Sequence, residues 1–430
     1  MLTPFSAPGG SREATISMRA RATVLDLVSA AAVLAATHVY AQEPALSAED
    51  VATSVAAQIE DLQSSQGINS PALIDLLTNL GLIFREQGDA DLAVAAFERA
   101  RHIVRVNYGL SSFQEAPLVR QLVQIEEAKG NVAAAWDLEQ ELIDMIYQRP
   151  GPRPVAASML REIADKRLDV LERYTAGKDF PPQIELGCYY SGPPRSNAAI
   201  EPEPPSCRSG TSSSVKQALY EEATGYYYDV MDMIRFSEGP SSDELPEIYM
   251  AVLRASHAAR NDLTEYQGNG MLRRVYAHHV RYSAPLPVQM NALLQMADWD
   301  LLYASGRKQN EAAFQAYEAL HDRLVQKGLE PSFIDEIFSP RVPVVLPTFA
   351  PSRLVFGEAP GSLGYLDVAF EITKYGEGKS VEILDTSTNK TEAARRQIRD
   401  LIQWARFRPR MANGAFEDPS RVVVRYYVNE

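Results

Sequence analysis

The sequence predicts a mainly α protein that closes with a small α+β domain. From about Ser47 to Pro340, apolar residues recur at the helical spacing i, i+3, i+4, i+7. From Gly364 to Glu430 the spacing becomes strict alternation, interrupted by one helical stretch. A Pro-spaced run from Pro340 to Pro351 separates the two regimes. The expected architecture is a stack of helical hairpins over residues 42–340, a linker at 341–352, and a terminal antiparallel sheet with one helix over residues 353–430.

Length and charge bound the function. A chain of 430 residues suits two or three domains, and its 46% hydrophobic content is that of a globular protein. The net charge of −14 argues against nucleic acid or an anionic membrane surface as partner. From Val345 to Glu430, 12 Lys+Arg face 11 Asp+Glu, so the acidity belongs to the region before that block.

The first element reads as a leader, residues 1–41. Arg19 and Arg21 follow Met18, the expected true start; the apolar run Leu27 to Ala36 comes next, and Val39-Tyr40-Ala41 forms a small-residue cleavage site before Gln42. The run falls short of the roughly 20 apolar residues that a membrane span needs. A cleaved signal peptide is therefore expected, with an uncleaved anchor as the alternative. No cysteine lies near the cleavage site, which argues against a lipoprotein.

The helical region contains three hairpin units. The clearest runs from Ala72 to Val106, where Leu80-Gly81, Phe84, Gly88, Ala93, Phe97 and Ala100 alternate small and large residues. Small residues let two helices approach, and aromatics fill the gap between them. A looser unit carries Leu122, Ile125, Gly130, Ala134, Ala135, Leu138 and Leu142, with Gly130 lying 42 residues after Gly88. A third places Leu294, Ala297, Leu301 and Leu302 before Gly306, and Ala313, Tyr317 and Leu320 after it. These units resemble divergent tetratricopeptide repeats, whose usual period is about 34 residues. The resemblance implies stacked hairpins with a concave surface for a peptide or protein segment. Further helices are expected over 154–174, 215–236 and 246–264.

A segment from Phe180 to Ser214 interrupts the helices. It holds three Pro-Pro pairs and both cysteines, Cys188 and Cys207. It is too long and Pro-rich for an ordinary turn and reads as an exposed loop. In an exported chain the two cysteines point to a disulfide across that loop, with two unpaired thiols as the alternative.

In the terminal block Leu366, Val368, Phe370 and Ile372 alternate with Tyr365, Asp367, Ala369 and Glu371, which predicts a half-buried strand. The Tyr375-Gly376-Glu377-Gly378 turn leads to a second strand around Val381 to Leu384. Asn389 and Glu392 have capping-box spacing, and Ile398, Leu401, Ile402 and Ala405 form one helical stripe expected to end at Pro409. Asn413-Gly414 marks a turn, and Val422, Val424, Tyr426 and Val428 alternate along a last strand.

The segment "GYLDVAFEITKYG", beginning at Gly364, the helix exit at Trp404, Arg406, Phe407 and Pro409, the turn at Gly414 and the final aromatic strand resemble the C-terminal domain of the TonB energy-transducer family. The resemblance covers about the last 70 to 85 residues. It implies a periplasmic location and a last strand, Arg421 to Val428, that pairs with an extended peptide from an outer-membrane receptor. The physics of an open strand edge suits that role. The alternative is that Trp404, Phe407 and the valines are core and the edge is covered. A charge at Val424 is expected to abolish capture. The chain departs from the family's anchor: Ser29 and His38 stand nine residues apart rather than one helical turn, and the short "EPEPP" at 201–205 replaces a long linker.

Signals for catalysis are absent from the sequence. No G-x-S-x-G, H-E-x-x-H or P-loop occurs. His278-His279 is the one histidine cluster, and helical neighbours point about 100° apart, so a shared metal is not expected. Surface histidines are the bland reading of that pair. In the run Tyr226-Tyr227-Tyr228 at least one ring is expected to be exposed. The expectation is an exported, periplasmic, non-enzymatic interaction scaffold without cofactor, metal or nucleic-acid partner, whose terminal domain binds a peptide or envelope protein. An anchored energy transducer and a secreted hydrolase are the rival readings.

Overall fold

A computed structural model describes residues 48–110, 112–148, 151–176, 212–260, 264–304, 307–349, 354, 356, 364–386 and 392–428. The leader, Cys188, Cys207, Gly306 and Asn389 lie outside the described residues. The chain is mainly helical, with small antiparallel sheets near its C-terminus, and divides into two compact units, Met1–Ala96 and Phe97–Glu430.

In the first unit α1 (Ala48–Gln66) packs against α2 (Leu73–Gln87), with Leu73, Leu77 and Gly81 buried. Gly88 ends α2 at φ +85°. Its N–H bonds to Arg85 and the Asp89 N–H to the Phe84 carbonyl, which satisfies carbonyls left over at the helix end. Ala93 is fully buried and Phe84 half-buried. Helix α3 (Ala90–Tyr108) follows, with Phe97 and Ala100 both fully buried.

The second unit continues with α4 (Ala116–Ala128), α5 (Val132–Gln148), α6 (Arg153–Thr175), α7 (Ser212–Ser237), α8 (Glu244–Ala259), α9 (Thr264–Arg281), α10 (Leu286–Leu302), α11 (Arg307–Gln326) and α12 (Pro331–Phe338). Proline at the first turn of α4, α6, α10 and α12 removes a donor that would have no helical partner there. Between α4 and α5 the Gly88 turn recurs: Gly130, at φ +76°, donates to Glu127, Asn131 to Glu126, and Ala135 to Asn131. Two glycines 42 residues apart thus close their hairpins with one hydrogen-bond pattern.

Three boundaries ahead of the terminal sheet differ from expectation. The helix expected over 246–264 ends at Ala259, because Arg260 turns left-handed at φ +45°, and α9 begins anew at Thr264. Helix α7 begins at Ser212, within the segment read as loop 180–214. The segment expected as a linker contributes strand β1 (Val345–Leu346), which pairs with β4 (Arg406–Phe407).

Tyrosine–carboxylate bonds tie the helices side by side. Tyr147 of α5 donates to Asp229 of α7 at 2.5 Å, Tyr227 of α7 to Asp165 of α6 at 2.6 Å, and Tyr317 of α11 to Asp298 of α10 at 2.7 Å. Contrary to expectation, none of Tyr226, Tyr227 and Tyr228 is exposed: Tyr227 is buried, and the other two are half-buried against the same core. A buried Arg167 on α6 bonds Glu139 of α5 and Glu222 of α7 and lies 3.2 Å over the Trp136 ring. Burial of so large a cation requires this pairing.

The terminal module is a three-stranded antiparallel sheet in the order β3-β2-β7, from β2 (Gly364–Ile372), β3 (Gly378–Thr386) and β7 (Ser420–Val428). Helix α13 (Glu392–Trp404) lies on it, with Ile398 and Ile402 buried against Leu366, Val368, Phe370, Ile372, Val422 and Val424. The helix stops at Trp404, five residues before the Pro409 expected to end it, because residues 406–407 leave as strand β4. A second hairpin, β5 (Met411–Ala412) and β6 (Ala415–Phe416), turns through Asn413 and Gly414, both at positive φ, as a two-residue loop matching the strand twist requires.

Candidate functional site

The two edges of the terminal sheet are built differently. On β3, register breaks occur opposite Asp367/Val368 and Ala369/Glu371; Ser380 sits at φ +53°, and its hydroxyl bonds Glu371 at 2.7 Å. Such bulges twist an edge away from further pairing. On β7, all nine residues pair with β2 in unbroken register, from Gly364↔Val428 to Ile372↔Ser420. In an antiparallel pair every second residue of β7 turns its N–H and C=O away from β2. Strand β7 contains neither Pro nor Lys, the residues that commonly blunt an edge.

The faces of β7 divide as the alternation requires. Val422 and Val424 are buried, and Tyr426 packs partly against the same core. Val428 pairs with Gly364 at the strand's end. On the opposite face Val423 is 60% exposed, between Arg421 and Arg425. Arg425 donates to both carboxylate oxygens of Asp367, at 2.8 and 2.9 Å, and lies 3.8 Å over the Tyr365 ring. That bonding holds the Asp367 carboxyl below its usual range. Arg421 reaches Glu382 at 3.1 Å across the sheet.

The helix-exit residues do separate jobs. Phe407 is fully buried, 5.2 Å from Phe370, and Pro409 is buried beside it in sequence. Trp404 is 87% exposed, so the reading that places it in the core is corrected: it stands past the stripe formed by Ile398 and Ile402. Arg406, Arg408 and Arg410 alternate along the chain. Arg406 bonds the Tyr375 carbonyl at 3.2 Å. Arg408 donates to both oxygens of buried Asp298, at 2.9 and 2.5 Å, and to the Ile337 carbonyl at 3.4 Å. Arg410 reaches the Pro340 carbonyl at 2.6 Å, so the two cations meet carbonyls at and just past the C-terminal end of α12. Gly414 lies where a Cβ would come within 3.2 Å of the His321 ring.

Sequence reasoning missed Asp298, Tyr317 as its partner, and Arg408. A signal existed: Asp298 falls on the stripe of Leu294 and Leu301, and a carboxylate on a buried stripe needs a cation. The histidine pair also departs from its bland reading, since His278 is buried, 6.0 Å ring to ring from His279. On α8, His257 lies among Trp299, Tyr303 and Phe349; its Nδ1 is 2.6 Å from the Tyr303 hydroxyl, and burial lowers its pKa to about 4. Among the described residues no group of three His, Cys, Asp or Glu is placed to hold a metal, and no helix is long and apolar enough to cross a membrane.

No family model and no curated protein matches the chain. Among solved structures, BtubC (BKLC) from P. vanneervenii is 13% identical with a TM-score of 0.37, covering 66% of this chain and 94% of its own. A circular tandem repeat protein with novel repeat topology is 13% identical, with a TM-score of 0.29 over 67% of this chain and 68% of that one. An assembly chaperone of RpL4 (Acl4) is 16% identical, with a TM-score of 0.24 over 72% and 92%. At these scores the likenesses carry no argument about function.

Proposed function

We propose that this chain is an exported, non-enzymatic binding scaffold of the bacterial cell envelope. Its helical region is a divergent tetratricopeptide-like array, a reading supported by the shared turn at Gly88 and Gly130. Its terminal module is related to the TonB C-terminal domain and captures an extended peptide along β7. The observation that carries the reading is the contrast of edges: β3 is interrupted twice, while β7 keeps unbroken register for nine residues. Strand addition uses main-chain hydrogen bonds for affinity and alternate side chains for selection.

The test uses the full chain. Val424 is 6% exposed, so a charge there would be buried and would damage the module itself. Val423→Lys instead sets a lysine between Arg421 and Arg425 on the solvent side of the edge, where edge lysines oppose pairing. Crosslinked capture from envelope extract is expected with the unmodified chain and to be lost with Val423→Lys, while thermal unfolding changes by no more than about 0.5 kcal/mol. Equal capture by both would sink strand addition at β7. The exported bait is expected to begin at Gln42 on N-terminal sequencing.

A further inference from the structure

Helix α13 turns one face to the sheet and the other to solvent. Ile398 and Ile402 fill the first. On the second, Arg396, Asp400 and Trp404 are all exposed. They stand at i, i+4 and i+8, so they form one row along the helix, about 6 Å from member to member. Arg399 and Gln403, also exposed, flank the row. Arg399 reaches Glu392 at 3.8 Å, whereas among the described residues no ion pair engages Arg396 or Asp400. A cation, an anion and a large solvated ring thus stand in fixed order on a regular helix.

We propose that this row is a docking surface for an extended peptide segment that carries a carboxylate, a cation and an apolar side chain at alternate positions. Alternate residues of an extended chain share a face and stand about 6 to 7 Å apart, which matches the row. The carboxylate meets Arg396 in the two-bond geometry that a guanidinium favours, and the cation meets Asp400. The apolar side chain covers Trp404, and tryptophan and arginine are the residues that most often dominate binding energy at such surfaces. Charge complementarity selects this occupant over a lipid surface. A leaflet of anionic headgroups would attract Arg396 but repel Asp400 in the middle of the row, and the whole chain carries −14. The row faces away from the sheet across α13, so the proposal stands whether or not β7 pairs with a peptide.

The probes are labelled synthetic peptides with blocked ends, Glu-Ser-Lys-Ser-Leu and the charge-swapped Lys-Ser-Glu-Ser-Leu, each also made in reverse order. They are titrated against the full chain and against a chain with its row swapped, Arg396→Glu with Asp400→Arg. The unmodified chain is expected to prefer a Glu-Ser-Lys-Ser-Leu order by about five-fold, the swapped chain to prefer the other by a similar factor, and Trp404→Ala to weaken both. Acrylamide quenching places the peptide: Trp404 is 87% exposed and Trp299 1%, so the preferred peptide should shield the quenchable emission. Binding without a charge preference, or no binding at all, overturns the proposal. Loss of binding in Val423→Lys assigns the peptide to the β7 edge and overturns it as well. Sedimentation of the chain with phosphatidylglycerol vesicles, lost in Arg396→Glu, overturns it in favour of a lipid surface. Urea unfolding midpoints of the variants are expected to be unchanged, since all three residues are solvated. Should the swapped chain unfold earlier, the titration is read on Arg396→Gln, where an undiminished preference overturns the proposal.

Discussion

Two arginine–carboxylate pairs in the second unit share one geometry and differ in setting. Arg408 and Asp298 are both buried, joined by two bonds and backed by the Tyr317 hydroxyl. Arg425 and Asp367 are joined by two bonds as well, but on the solvent face of the sheet. Water screens the outer pair and lets its members part at small cost. The inner pair has no such alternative, since either ion left alone would be a buried, uncompensated charge. The module is therefore fixed where it meets α10, α11 and α12 and adjustable along its outer face, where Arg421 and Arg425 stand.

The largest expected effect breaks the inner pair. Arg408→Ala should destabilise the chain by about 3–5 kcal/mol in urea unfolding, and adding Asp298→Leu should recover much of that loss. A fall below about 1 kcal/mol would show that the pair is not isolated from water. A similar contrast lies within one motif: Phe407→Ala should cost about 3–5 kcal/mol, while Trp404→Ala, at a fully solvated ring, should change stability by about 0.5 kcal/mol or less.

Acid provides an intermediate effect. His257 has its pKa lowered from 6.5 to about 4 by burial among aromatic rings, with Arg260 adding to the shift. The folded state thus binds fewer protons than the unfolded state between those values. Stability is full above pH 6.5 and falls as pH drops toward 4, by about 3 kcal/mol in all. His257→Leu should flatten the difference between unfolding midpoints at pH 7 and pH 4.5. A smaller effect than that of the inner pair belongs to the outer pair: Arg425→Ala should cost no more than about 1 kcal/mol, and less at high salt.

Much of the fold was legible because local periods carry it. The helical stripe of Ile398 and Ile402, the alternation of β2 and β7, and the Asn413-Gly414 turn each follow from a few neighbouring residues. What was not legible depends on distant partners. Strand β1 is two residues long and exists by pairing with β4, so the stretch around it reads as linker. Asp298 and Arg408 stand 110 positions apart, and neither explains itself alone. Trp404 was the reverse case: its residue type suggests core, but its place at the end of α13 puts it past the sheet. In the candidate edge, the alternation of Val422 to Val428 was readable, whereas the bulges that spoil β3 and the bridge from Phe356 to Tyr426 of β7 required coordinates.

The distance between Asp298 and Arg408 also has a temporal meaning. The carboxylate leaves the ribosome 110 residues before its counter-ion, a lag of roughly ten seconds at ordinary synthesis rates. During that interval Asp298 of α10 has the Tyr317 hydroxyl of α11 to meet it but not the Arg408 guanidinium. The buried ion pair is therefore completed only after α13 and β4 have been made.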